Sequence, residues 1–350
     1  MKKNNNEKFS EILKNYNFNI KNYQNLYQSN HWLYNNKRKK KLFSLNALKN
    51  FRRNGLSEGM DDTYYSKKKG FELYDKIIED CGEKFVHSLL LKKNIGNPKK
   101  YYIKKNFFFT AHELFHIKFI FDLGKKIKLK KKNIICEIGP GYGSMIGKIL
   151  KLYNSKIILI DLPEANFISH YYLKLQFPKK KFFTSKDIKN GSISKKNIKE
   201  NDIIIICPWE SLPNIKIDLF INSRSMMEMT YETISMYFRI IHNLTKVGGY
   251  FLCINRYYKD TVGYPIEMNS YPYDKFWKVL ISKTSWMQDH IHFLLTQRAN
   301  RESLEILEEL KNIKNKSNII RKSDPFFFRR NIPPFIYRFY KKTKFFFLSR

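Results

Sequence analysis

Several things are scarce in this chain of 350 residues. Cysteine occurs four times, at Cys81, Cys136, Cys207 and Cys253, and never as a C-x-x-C pair. That argues against a disulfide framework and fits reduced structural thiols in a cytoplasm. No apolar run approaches the ~18 residues of a spanning helix, and Met1 to Ser10 is polar, so neither a membrane span nor a signal peptide is expected. Acidic residues are few, 31 against 66 basic ones, for a net charge of +35. Such a balance suits nucleic acid or an anionic membrane. The basic residues are mostly Lys, however, in a chain crowded with Asn, Ile, Phe and Tyr. An A/T-rich genome produces that composition at any tolerant surface position. Compositional drift is therefore preferred, and no specific nucleic-acid partner is expected. The length allows one large domain or two ordinary ones.

What is present centres on Asn133 to Asp161. The run Ile134-Ile135-Cys136 ends in Glu137-Ile138, and Gly139, Gly141 and Gly143 follow at alternate positions. A helical pattern then runs from Ser144 to about Tyr153, and a second apolar run, Ile157 to Ile160, ends in Asp161. Strand, glycine turn, helix, strand and acid make the first half of a nucleotide-binding βαβ unit. Glycines let a backbone approach a ligand and take positive φ. The helix start offers free N–H groups. Asp161 is placed to accept both hydroxyls of a ribose. Glu137 suits a ligand carrying positive charge and repels a pyrophosphate. The pattern E-x-G-x-G-x-G with the later acid resembles the class I methyltransferases, which implies S-adenosylmethionine as cofactor. A dinucleotide site and a glycine turn without a ligand are the other readings.

Around this unit the pattern alternates β and α. Phe182 to Thr184 reads as a short third strand, and Asp187 just beyond it is a candidate for the adenine amino group or else a helix cap. Asp202 to Trp209 contains a surplus strand-like run, an extra strand or part of a longer third crossover. Ile217 to Ser223 reads as the fourth strand, Tyr231 to Leu244 as a helix, and Lys246 to Arg256 as a Gly-Gly turn into the fifth strand. The expected fold is α/β, a doubly wound Rossmann-like methyltransferase sheet with a mostly helical N-terminal region. The expected division is a helical cap over residues 1–108, the cofactor domain over 109–300, and a charged helix with a basic-aromatic tail over 301–350.

One helix carries a competing motif. Thr110 to Gly124 contains His112-Glu113-Leu114-Phe115-His116, a match to H-E-x-x-H. In a zinc protease both histidines bind metal and the glutamate is the base. No third ligand stands out, so a chance match is preferred and no metal is assigned. His112 or His116 could still face the mouth of the active site.

A narrower resemblance rests on Glu137 to Gly143, Asp161 to Glu164, Phe220 to Met229, Gly248 to Phe251 with Asn255-Arg256, and Tyr271 to Asp274, together with Asn50 to Asp62. Over roughly residues 45–300 the chain resembles the sugar O-methyltransferases found among bacterial surface-polysaccharide genes. The resemblance implies methylation of a sugar hydroxyl on a glycan or a nucleotide- or lipid-linked sugar. Its cofactor residues are Glu137, Gly139, Gly141, Gly143, Asp161, Leu162, Asp187 and Asn222. A sugar hydroxyl needs a base. Glu228, just past the fourth strand, is the first candidate, and His290 and His292, two apart on a late strand, are the second. Tyr257, Tyr258, Tyr264, Tyr271, Tyr273, Trp277 and Trp286 offer faces for stacking on a sugar or nucleobase, although most are expected to serve packing. An RNA methyltransferase and a non-catalytic cofactor-fold module are the alternatives. The tail from Ser323, with clustered Phe, Tyr, Lys and Arg, reads either as an interfacial anchor at the inner face of the membrane or as a packed or loose tail.

Overall fold

The computed structural model describes residues 2–24, 27–39, 44–53, 65–90, 93–130, 132–189, 192–260, 262–286 and 288–323. The tail 324–350 and most of the Asn50 to Asp62 stretch lie outside the described residues. Among the described residues the N-terminal part holds five helices, α1 (Lys2–Lys21), α2 (Asn30–Lys39), α3 (Leu45–Lys49), α4 (Lys67–Cys81) and α5 (Glu83–Leu89). A small hairpin, β1 (Tyr101–Lys104) with β2 (Phe107–Phe109), leads into α6 (Ala111–Gly124).

The sheet begins at β3 (Ile134–Ile138) and continues through α7 (Ser144–Tyr153), β4 (Lys156–Ile160), α8 (Pro163–Gln176), β5 (Phe182–Thr184), α9 (Lys195–Glu200), β6 (Ile203–Ile206), β7 (Ile217–Ser223), α10 (Tyr231–Leu244) and β8 (Thr245–Arg256). A short ribbon, β9 (Tyr258–Asp260) and β10 (Pro265–Glu267), precedes β11 (Trp277–Ser285), β12 (Gln288–Arg298) and α11 (Glu305–Ser323). The eight strands lie in the order β11-β12-β8-β7-β3-β4-β6-β5. Those from β8 to β5 are parallel, and β12 and β11 add antiparallel at one edge.

The central strands are continuous apolar runs because both faces are covered. Alternate residues serve different cores. Ile135, Ile157, Leu159, Leu219 and Ile221 pack with α6, α7 and α8 and with the N-terminal helices. Cys136, Ile138, Ile158, Ile160 and Phe220 pack with α9, α10 and α11. Helices on both faces of a parallel sheet make it doubly wound and Rossmann-like. Ile12, Leu48, Phe51, Leu73 and Ile77 belong to the first of these cores, so the N-terminal helices share it with the sheet.

Ile203 to Ile206 is the extra strand: it pairs with β4 on one side and with β5 on the other. The short strand Phe182 to Thr184 is pushed to the sheet edge. All four cysteines are free and buried. Among the described residues no helix is long and apolar enough to cross a membrane.

Candidate active site

From β3 the chain winds outward through β4, and after β5 and β6 it returns to β7 on the other side of β3. Ligands bind outside the carboxyl ends of the strands at such a reversal. A cavity of about 440 Å³ lies there, walled by the ends of β3, β4, β7 and β8, the start of β12, and residues of the N-terminal region and α6.

The floor is the glycine turn. Gly139, Gly141 and Gly143 have φ of 70°, 58° and 82°. At Gly139 a Cβ would also stand 2.0 Å from Ser225 Oγ, so position 139 admits no side chain. Gly141 lines the cavity. Gly143 does not: it caps α7, and a Cβ there would meet Leu173 in the core. Its expected contact with a cofactor is replaced by a structural role.

Asp161 stands at the tip of β4. Its Oδ1 accepts the Leu162 N–H at 2.8 Å and its Oδ2 the Gly141 N–H at 3.2 Å. These bonds aim the carboxylate and hold the turn. Burial still pushes its pKa up to about 7. Glu137 is 2 % exposed, and its Oε2 has no hydrogen-bond partner among the described residues. Burial, reinforced by the Asp161 charge, pushes Glu137 up to about 8. Glu137, Asp161 and Leu162 thus face one cavity, and of the two acids only Glu137 has an oxygen left without a partner among the described residues.

The sign of the linkage is definite. Both acids hold protons in the folded state that an unfolded chain releases near pH 4. The stability they contribute is complete below that value and is lost as pH rises through about 7 and about 8. The melting temperature should therefore fall as pH rises from about 4 and level off above about pH 8, with a loss of order 4 kcal/mol in stability between about pH 6 and about pH 8. Glu137→Gln should flatten that slope. Scanning calorimetry across the range checks it.

Three expected site residues stand elsewhere. Asn222 is buried beneath the floor. Its Nδ2 donates to the Ile138 carbonyl at 2.8 Å, and its Oδ1 accepts from Asn255 Nδ2 at 2.8 Å. This amide pair locks the ends of β3, β7 and β8 together, so Asn222 shapes the floor without lining it. Asp187 caps the turn after β5, accepting the N–H and the hydroxyl of Thr184, both at 2.8 Å. Its carboxylate is spent locally, away from the cavity. His292 is fully buried, with Nδ1 on the Tyr257 hydroxyl at 3.0 Å and Nε2 on the Ser282 hydroxyl at 2.8 Å. Both ring nitrogens are occupied, which removes it as a base.

Glu228 and His290 do line the cavity. Glu228 closes a short 3-10 turn after β7, and Lys259 donates to its Oε1. His290 is partly exposed, and burial holds its pKa down. The H-E-x-x-H helix divides. His112 and His116 reach the cavity with their rings 4.5 Å apart, and burial keeps both well below the usual histidine range. Glu113 points into the core, where Lys148 binds it at 3.1 Å. Among the described residues no cluster of three or more His, Cys, Asp or Glu could hold a metal ion.

Sequence reasoning missed much of the wall. The aromatics after β8 do not reach the cavity: Tyr257, Tyr271, Tyr273 and Trp277 are core residues. Tyr27, Trp32 and Tyr65 of the N-terminal region line it instead. Arg224 and Arg256 also line it. Both stand at carboxyl ends of parallel strands, the position that drew attention to Asp161.

Among solved structures, chains similar to this one include methyltransferases. Geranyl diphosphate C-methyltransferase from Streptomyces coelicolor A3(2), solved with S-adenosyl-L-homocysteine, is 11% identical over 54% of this chain and 78% of its own, with a TM-score of 0.38. Mitomycin 7-O-methyltransferase is 12% identical over 68% and 75%, with a TM-score of 0.38. An rRNA methylase from Streptococcus thermophilus is 10% identical over 49% and 90%, with a TM-score of 0.32. No family model and no curated protein matches the chain. Likenesses this distant leave cofactor and substrate to be read from the chain's own residues.

Proposed function

We propose that this protein transfers the methyl group of S-adenosylmethionine to a sugar hydroxyl. The observation that carries the cofactor is Glu137: a buried carboxylate oxygen without a partner, beside a second acid, at the carboxyl end of the first parallel strand. A dinucleotide would bring a pyrophosphate against both acids. A sulfonium ligand with an ammonium group brings opposite charge and no phosphate. The residues fit the group: Asp161 takes ribose hydroxyls, Glu137 opposes the cation, and the turn at Gly139 to Gly141 admits backbone contact.

When bound, S-adenosylmethionine supplies a methyl group already activated by its sulfonium. The chain's own residues orient the acceptor and take its proton. Glu228 is the base: Lys259 fixes one carboxylate oxygen, and the other is left for the acceptor hydroxyl. The sugar, and a role in surface-polysaccharide assembly, rest on the resemblance of Phe220 to Met229 and Tyr271 to Asp274 described above.

The test is calorimetric titration of S-adenosylmethionine, followed by turnover on sugar acceptors with Glu228→Gln. Cofactor affinity should be unchanged and kcat should fall by about 10²–10⁴. A loss below about tenfold would pass the role to His290. No cofactor binding by the unaltered protein would overturn the whole reading.

A further inference from the structure

The cavity is divided by charge. Glu137, Asp161 and Glu164 line the side formed by β3, β4 and α8. Arg224, Arg256 and Lys259 line the side formed by β7, β8 and β9. Lys259 is neutralised by Glu228, but the two guanidinium groups are not neutralised in this way. Arg224 Nη1 has a long contact of 3.5 Å to Gln288 Oε1, and Arg256 Nε is buried with no hydrogen-bond partner. Among the described residues neither arginine forms an ion pair. Elsewhere in this protein arginines do find carboxylates: Arg298 binds Asp274, and Arg321 binds Glu267 at 2.7 Å. Two guanidinium groups on one wall without an ion pair are costly unless a ligand supplies the anion.

The backbone also bears a cost to place one of them. Arg224 has φ of 62°, a left-handed conformation that disfavours a side chain. Its N–H is tied to the Ile254 carbonyl at 2.7 Å, so β8 fixes the bend. Because Ser223 pairs with Ile254, Arg224 just past β7 and Arg256 at the end of β8 emerge at the same edge of the sheet. Burial lowers the Arg224 pKa, the nearby Arg256 charge adds to this, and Glu228 opposes it.

We propose that Arg224 and Arg256 form an oxyanion subsite for the acceptor, and that the acceptor is a sugar linked through pyrophosphate to a nucleotide or lipid carrier. This rests on the methyltransferase reading and sharpens it. Two guanidinium forks match the charge and geometry of a dianionic pyrophosphate. Glu137 and Asp161 line the opposite side, so the two ligands are assigned to different halves of the cavity.

The test is titration of inorganic pyrophosphate, uridine diphosphate and farnesyl pyrophosphate into full-length protein preloaded with S-adenosylhomocysteine, using wild type, Arg224→Gln and Arg256→Gln. Pyrophosphate should bind wild type and weaken at least about tenfold in each variant, the loss expected from one charge-assisted bond. Affinity for S-adenosylmethionine should stay within about threefold. Melting temperatures of the unliganded variants should match or exceed wild type, since a surplus buried charge is removed. Tighter binding of uridine diphosphate assigns a nucleotide carrier, and tighter binding of farnesyl pyrophosphate a lipid carrier. Cofactor binding with no pyrophosphate binding, or pyrophosphate binding that both variants retain, overturns the subsite and leaves the cofactor reading standing. Absence of cofactor binding fails that reading separately.

Discussion

Asp161→Ala should lower S-adenosylmethionine affinity at least about 100-fold in a calorimetric titration. Hydrogen bonds to a charged acceptor are worth about 1.5–3 kcal/mol each, and two ribose hydroxyls would be lost together. The substitution also frees the Gly141 and Leu162 N–H groups, so the turn loses the carboxylate that aims it. Asp161→Asn keeps one acceptor oxygen and should fall between wild type and alanine. Glu137→Gln should weaken binding less at about pH 6, where Glu137 is already protonated, than at about pH 9. Affinity within about threefold of wild type for Asp161→Ala would place the adenosine elsewhere.

Legibility in the sequence follows the range of the interactions. The turn from β3 to β4 could be read because its chemistry is local: glycines, a helix start and two acids lie within one βαβ unit. Strand order could not. Nothing in Phe182 to Thr184 or Ile203 to Ile206 says which run sits beside β4, because that is decided by packing of α8 and α9 on opposite faces. Side chains with competing local partners were misjudged for the same reason. Asp187 meets Thr184 three residues away, and a cap so close wins over a distant ligand. The strand period places His290 and His292 on one face, yet one face spans two environments. His290 sits at the mouth where β12 begins, and His292 lies one step deeper under Tyr257 and Ser282. Arg256 was visible as the last residue of β8, but its missing partner is a property of the fold.

The H-E-x-x-H helix yields the largest stability effect. Glu113→Ala should destabilise the protein by about 3–5 kcal/mol in chemical unfolding, because it strands Lys148 in the core. Glu113 Oε2 also accepts from Thr110, the N-cap of α6, whose hydroxyl in turn receives Arg52 Nη2 at 2.8 Å. One carboxylate therefore ties α6 to α7 and to the segment after α3. Lys148→Ala should cost a similar amount, since burial already pulls that lysine's pKa down and Glu113 holds it up. The paired change Glu113→Leu with Lys148→Met should recover most of the loss, as apolar replacements of a buried ion pair commonly do. Cofactor affinity should survive in the pair, because neither side chain lines the cavity. If Glu113 were a catalytic base facing its two histidines, Glu113→Ala would instead leave stability within about 0.5 kcal/mol of wild type and abolish activity.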